Sequence, residues 1–438
     1  MGGKKYDLII VGAGVTGTAL AYVLSSYSNV KRILILEKNS WVAEVNSNPM
    51  NNAQTSHDGG TETNYTLHHA LEVKAAATML RRYVLSKNDP LLSFKTHRMV
   101  LGVGAEEVET LKNRYMEFWT HYPDLSLIGP EELSRIEPML MKGRGPKEPV
   151  CGLVSNEGYM INYQRLAESM LSDARVINPE LELVFNVTVD SIRREEEDFV
   201  LETSQGRLDS RVVVFAAGSY SLYFAQQMGY GTEYAILPVA GSFYSGGNLL
   251  KGKVYRVQIP GMPFAAIHGD PDILNLADTR FGPTTKPLPL MERHRYKTFF
   301  DFIKLPLVSL RGFLSMTRIL ASKGMIGYVI KNTLYDLPII GPWLFLRAVR
   351  PIVPTIRYRD LKLRRGAGGI RPQIVDLRTK SLVMGDVTIT GDRCIFNTTP
   401  SPGASVCLAN AKRDAAKVVK FLGNGYTFCQ ASIDRDLG

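Results

Sequence analysis

The sequence predicts an α/β protein in which a parallel-sheet unit is interleaved with a second unit built on a mixed sheet. Three observations carry this. The first forty residues read as strand, glycine-rich turn, helix and strand. A second apolar run, Val212-Val213-Val214-Phe215, ends in the small residues Ala216-Ala217-Gly218-Ser219, far along the chain. Beyond it, residues 237–244 and 253–268 alternate as strands of a different sheet do. With 438 residues the chain suits two or three structural units rather than one small core.

Tyr6 to Val11 (YDLIIV) is the first strand. It runs into Gly12-Ala13-Gly14-Val15-Thr16-Gly17, a G-x-G-x-x-G turn that opens a helix. In such a turn Gly12 allows the tight bend, Gly14 lets a pyrophosphate approach bare backbone, and Gly17 lets helix and strand pack closely. The helix N-terminus, with Val15 and Thr16 in its first turn, points N–H groups at phosphate. The next strand, Ile33 to Leu36, ends in Glu37-Lys38. Glu37 lies twenty residues past Gly17, where a carboxylate can accept ribose hydroxyls. The unit is therefore expected to be of Rossmann type and to bind a dinucleotide.

Bulk composition narrows the partners. Hydrophobic residues make up 45% and charged residues 21%, an ordinary globular balance. Cys151, Cys394, Cys407 and Cys429 are scattered without a C-x-x-C, so neither a metal site nor a disulfide framework is expected. No long uncharged apolar run suggests a spanning helix, and no signal-peptide core precedes the first strand. The net charge of +10 fits nucleic acid, an anionic membrane surface or an anionic substrate. No nucleic-acid module accompanies it, which leaves the last two.

Residues 46–66 (NSNPMNNAQTSHDGGTETNYT) form a polar loop by composition. It follows the ribose-binding strand, so it should run beside the cofactor. His57 is either a solvated turn histidine or part of a loop that wraps pyrophosphate and ring, with Asn52, Thr55 and Ser56. Helices are expected over Leu71–Leu85, Glu106–Tyr122 and Asn162–Leu171, and a capped helical turn over Pro130–Pro138. Residues 142–149 read as a linker. Arg98–Val103 and Leu181–Ile192 read as strands, the latter bringing Val189 towards the cofactor, and Phe199–Val214 as a hairpin. The strand ending at Ala216, Ala217 and Gly218 should return to the first sheet. His268 ends an apolar run before Gly269-Asp270-Pro271, and Arg280-Phe281-Gly282-Pro283 marks a turn.

Residues 299–357 are apolar, aromatic and basic, with seven Lys/Arg against two Asp between Asp301 and Arg350. They form either a helical subdomain or an interfacial surface on anionic headgroups. Arg371 follows the loop Gly366-Ala367-Gly368-Gly369, where it could clamp a carboxylate. Ser401, Pro402, Gly403, Ala404 and Ser405 precede a helix, Val406–Phe421, a second N-terminus that favours anions. Residues 422–438 read as a loose tail.

The segments GAGVTG (12–17), NNAQTSHDGGTETNYT (51–66), LPVAGSFY (237–244), VYRVQIPGMPFAAIHGDPD (254–272), RFGP (280–283), GAGGIRP (366–372) and SPGAS (401–405) occur in the order found in malate:quinone oxidoreductases, and the chain resembles that family, within the amino-acid-oxidase-like flavoproteins. The resemblance implies non-covalent FAD, oxidation of (S)-malate to oxaloacetate with electrons passed to a membrane quinone, and a peripheral enzyme on the cytoplasmic membrane face. The fold class becomes a Rossmann-type FAD-binding domain (1–90, 150–236 and 365–438) interleaved with a mixed-sheet substrate domain (91–149 and 237–364).

A 2-hydroxy acid oxidation needs a base for the hydroxyl proton and cations for the carboxylates. Imidazole suits the base. His268 is the first choice because it ends a strand of the substrate unit; His57 is the alternative. Arg371, with Arg280, would hold the dicarboxylate. Other 2-hydroxy acids (L-2-hydroxyglutarate, L-lactate), amino acids, an NAD-dependent dehydrogenase and a redox-inactive binding protein remain alternatives.

Overall fold

The computed structural model describes residues 5–258, 266–304, 312, 314–315, 317–318, 325–383, 385–399 and 402–438. Two sheets organise them. The first has the strand order Val387–Thr390, Cys394–Thr398, Gly206–Phe215, Lys5–Val11, Ile33–Leu36 and Glu182–Val184. All neighbours are parallel except the edge strand Val387–Thr390. A hairpin, Val189–Glu195 with Asp198–Thr203, is added to Gly206–Phe215.

Side-chain alternation explains why these strands read as unbroken apolar runs. Leu8, Ile10, Ile33, Ile35, Val212 and Val214 pack on one face, with residues of the helices Val15–Tyr27, Tyr163–Ile177 and Cys407–Leu422. Ile9, Val11, Leu34, Leu36, Val213 and Phe215 pack on the other. A sheet covered on both sides has no face for polar residues.

The second sheet is mixed. Its order is Ser381–Leu382, Ile370–Asp376, Tyr234–Ser245, Asn275–Pro287, His268–Asp272, Lys253–Arg256, Ser93–Val103, Val150–Ile161 and Leu125–Ile128, with Lys362–Leu363 also on Tyr234–Ser245. Val150–Ile161 and Ile370–Asp376 therefore pair in this sheet, although the sequence boundaries grouped them with the dinucleotide-binding unit.

Four local expectations are corrected. Leu181–Ile192 is two strands, because the chain turns at Asn186 (φ 58°) to donate Asn186 N–H to Asn39 O and Val187 N–H to Glu37 O. His268 opens its strand instead of ending one, and Gly269-Asp270-Pro271 lies within it. Arg280-Phe281-Gly282-Pro283 is strand, not turn: a Cβ on Gly282 would lie 2.7 Å from Ser242 O, so this glycine serves close approach of two strands. The tail is a helix, Gln430–Leu437, held by buried Ile433 and Leu437.

Candidate active site

The fingerprint turn separates into packed and open glycines. A Cβ on Gly12 (φ 108°) would meet Ala216 O at 2.5 Å, and one on Gly17 would meet Gly12 O at 2.0 Å. Gly12 thus fits against the end of the returning strand, and Ala216 N–H donates to Val11 O at 2.9 Å. Gly14 differs: the nearest atom to its added Cβ is Ser47 Oγ at 3.5 Å. Gly14 is the N-cap of the helix, and Ser47 Oγ accepts from the next N–H, that of Val15, at 3.1 Å. This is the cradle a pyrophosphate requires. Ala217 and Gly218 complete its wall, with Asn46 Nδ2 3.8 Å from a Cβ on Gly218.

Glu37 is buried, and its carboxylate accepts from Ala13 N–H (2.8 Å), Asn39 N–H (2.9 Å) and Asn39 Nδ2 (2.6 Å). It thereby shapes the turn. Lys38 pairs with Glu292 and lies over the Tyr220 ring, and burial lowers it to about 8. Val189 opens its strand two residues beyond the contact of Val187 with Glu37.

The loop 46–66 closes over this surface, and four buried cations fix it. Arg98 donates to Ser56 O (2.8 Å) and pairs with Asp58. Arg114 donates to Gly59 O (3.0 Å), Glu62 O (2.7 Å) and Tyr65 O (2.6 Å). Lys253 donates to Ala53 O (3.0 Å), and Arg280 to Pro49 O (3.3 Å) and Asn52 O (3.2 Å). Apart from one antiparallel bridge, Thr55 to Met160, the loop has no ladder, so its buried carbonyls need other donors, and a guanidinium supplies several at once. Arg280, fully buried and paired with Asp270 at 2.7 Å, is thereby a loop anchor and not a substrate clamp.

Next to the loop lies a cavity that opens to solvent. Its walls include Asn52, Thr55 and His57 from the loop, Arg371 from the second sheet, and Pro402, Gly403, Ala404 and Ser405 before the C-terminal helix. Ser405 ties the walls together. Its Oγ accepts from His57 N–H at 3.0 Å, and it lies 3.2 Å from both Thr55 O and Tyr163 Oη. Ser56 lies behind the wall, donating its N–H to Tyr159 O. Ser401 lies outside the described residues.

At the edge of the cavity His57 Nδ1 is 2.6 Å from Glu62 Oε1. Burial alone would raise the Glu62 carboxyl, but Arg98 and His57 hold it down to about 2. Glu62 is therefore a carboxylate that accepts, so Nδ1 carries a proton, and whenever the ring is neutral Nε2 is left as the acceptor. Among the described residues nothing hydrogen-bonds to that Nε2. The Arg371 guanidinium is also without a hydrogen-bond partner among the described residues. Tyr255, Tyr328 and Tyr65 interact with it electrostatically, and burial lowers its pKa, yet guanidinium stays charged at any physiological pH.

His268 is 1% exposed and does not line the cavity. Its Nδ1 lies 3.3 Å from Ala266 O, and its ring packs 4.6 Å from that of Tyr255. Burial pushes it down to about 4, although Asp270 stands 3.5 Å from Nε2. Sequence reasoning ranked it above His57. It missed Glu62, Arg98, Arg114, Tyr255 and Tyr163, whose spacing carries no motif; the density of small polar residues over 46–66 was the available signal.

A family model described as malate:quinone oxidoreductase (Mqo) matches residues 4–283. Chains named probable malate:quinone oxidoreductase from Campylobacter jejuni and malate:quinone oxidoreductase from Helicobacter pylori (strain J99) are each 37% identical, covering 97% and 96% of both sequences respectively. The chain belongs to the malate:quinone oxidoreductase family. Among solved structures, the fold is similar to L-α-glycerophosphate oxidase of Mycoplasma pneumoniae, a structure with FAD bound (17% identity, TM-score 0.68, 95% of each chain). It is also similar to glycine oxidase of Geobacillus kaustophilus (16% identity, TM-score 0.65, 95% of each chain). Family membership gives the fingerprint, the loop 46–66 and the Arg371 strand one shared context.

Proposed function

We propose that the chain is an FAD-dependent malate dehydrogenase that passes electrons to a membrane quinone. The observation that carries the chemistry is a cavity holding both an unpaired arginine, Arg371, and a histidine whose Nδ1 is committed to a carboxylate. Family membership supports the substrate and the acceptor.

Gly12, Gly14, Gly17 and Glu37 would hold the dinucleotide end of FAD, and Ala216–Gly218 and residues 402–405 its flanks; the bare backbone at Gly14 fits such a group. When bound, FAD supplies the acceptor for the hydride leaving the substrate carbon. Arg371 binds a carboxylate through a bidentate, charge-assisted pair and so orients the hydroxyl-bearing carbon. His57 Nε2 takes the hydroxyl proton. Glu62 holds the ring in the tautomer that leaves Nε2 free and stabilises the imidazolium that forms. Tyr255, close to both His57 and Arg371, limits water.

The enzyme would act at the cytoplasmic membrane face as a peripheral protein; among the described residues no helix is long and apolar enough to cross a membrane. The deciding experiment is anaerobic. (S)-Malate should bleach the visible flavin spectrum of the purified protein, and a quinone should restore it. A flavin spectrum untouched by malate would move the substrate to another 2-hydroxy acid, and no flavin after reconstitution with FAD would overturn the assignment.

A further inference from the structure

Half of the large hydrophobic side chains exposed among the described residues fall within residues 296–343. The densest part is a pair of helices, Met325–Tyr335 and Ile340–Val349, joined by a short link. Their inner sides enter the core: Tyr335 and Phe345 meet edge to face at 5.2 Å, and Phe345 stacks on Tyr244 at 4.4 Å. Their outer sides are apolar as well. Ile326, Ile330 and Leu334, one turn apart, are 55%, 55% and 38% exposed. Ile339 in the link is 80% exposed, and Ile340 and Trp343 follow at 54% and 50%.

A soluble surface rarely concentrates apolar groups in this way without a partner. The charges nearby decide which partner. Lys331, Arg347 and Arg350 are exposed, and Arg347 lies over the Trp343 ring at 4.5 Å. The acid of this stretch, Asp336, is turned inward to Thr284 (2.7 Å), Lys286 and Arg293. An apolar face fringed by cations, with a tryptophan at its border and its acid withdrawn, matches the headgroup region of an anionic bilayer.

We infer that the outer face of the helix pair 325–349 docks the enzyme on an anionic lipid surface. This rests on the peripheral placement proposed above and names the surface responsible. The geometry gives the docking a consequence for the reaction. The helix that turns Ile326, Ile330 and Leu334 outward also carries Tyr328, which interacts electrostatically with Arg371 of the cavity, and Asn332, whose Oδ1 accepts from Thr285 N–H at 3.0 Å. Docked in this way, the lipid surface lies against the outer side of the helix whose inner side carries Asn332. An acceptor dissolved in the bilayer then has a short path to the site.

The test is co-sedimentation of the FAD-loaded enzyme with phosphatidylglycerol vesicles. Three chains are compared: wild type, the double variant Ile330→Glu with Ile340→Glu, and the control Leu91→Glu, which alters a side chain 65% exposed elsewhere. The double variant should bind vesicles roughly tenfold or more weakly, while the control binds as wild type does. All three should share one Tm and one rate of malate-dependent reduction of a water-soluble dye. Equal vesicle binding by wild type and double variant would overturn this surface while leaving peripheral attachment intact; a wild type that ignores vesicles would overturn both. A dimer broken by the double variant, with vesicle binding unchanged, would make the face a self-association surface and overturn the inference. A second readout needs no charge substitution. With Trp41→Phe and Trp119→Phe, Trp343 is the sole tryptophan, and its emission should move to the blue on adding vesicles. An unmoved emission would contradict the docking.

Discussion

His57 Nδ1 and Glu62 Oε1 stand 2.6 Å apart at the edge of the cavity, five residues from one another in a stretch that is neither helix nor strand. The pair exists because Arg98 and Arg114 hold the loop between them. Arg98 compensates the Glu62 charge at 3.8 Å, and Arg114 fixes Glu62 by its carbonyl. In the proposed mechanism His57 is the base, so His57→Ala should lower kcat by ~10²–10⁴ with flavin still bound. His268→Gln should change kcat less than about tenfold, since that ring does not line the cavity. Steady-state kinetics on both variants decide the assignment, and a near-normal His57→Ala would return the role to His268.

Glu62→Gln tests positioning apart from proton transfer. The amide can donate to Nδ1 and so favours the tautomer with the proton on Nε2. We expect kcat to fall at least roughly tenfold with little change in KM, and the acid limb of the kcat/KM profile to move. A fall in flavin content without these changes would make Glu62 merely structural.

Two arginines near the loop should respond in different ways. Arg371→Ala removes a free cation from the cavity and should raise KM for malate, by roughly 10–150-fold if the lost charge-assisted bonds contribute about 1.5–3 kcal/mol. Arg280→Met leaves Asp270 buried beside Lys253 alone and frees two loop carbonyls. It should cost about 3–5 kcal/mol of stability, read as a lower denaturation midpoint. An Arg280→Met chain of normal stability with raised KM would restore Arg280 as a substrate ligand.

The fingerprint glycines also separate. Gly17→Ala places a Cβ 2.0 Å from Gly12 O and should destabilise the protein even without FAD. Gly14→Ala meets nothing nearer than 3.5 Å and should leave the apoprotein's Tm unchanged while weakening FAD binding. Calorimetric melting of the apoproteins and FAD titration distinguish these outcomes.

Burial of His268 predicts an acid-sensitive fold. Its folded pKa, about 4, lies below the 6.5 of a free imidazole. The unfolded chain therefore takes up a proton first as pH falls, and the stability from a neutral buried ring, complete above pH 6.5, is lost progressively towards pH 4. The loss is on the order of 3 kcal/mol. Between pH 6.5 and 5, above the range where Asp270 and Glu62 titrate, His268→Gln should flatten the decline of Tm. Parallel declines in both proteins would show that this ring does not carry the effect.

What the sequence determined by itself was whatever local chemistry dictates. A strand, three glycines at fixed spacing and a helix must form the same phosphate-facing turn wherever they occur, so Gly12, Gly14, Gly17 and the returning Ala216–Gly218 were legible from residue type alone. The density of small polar residues likewise marked 46–66 as a loop, and the glycines before Arg371 marked a permissive approach to the site. Tertiary structure decided the rest, because the roles of charged side chains depend on who faces them across sheets. Arg280 and Arg371 look equivalent in sequence; one is consumed by Asp270 and loop carbonyls, the other is left facing the cavity. His57 and His268 differ in the same way. A strand's hydrogen-bond partners determine which histidine is sealed behind Tyr255 and which lines the open space, and those partners come from segments far apart in the chain.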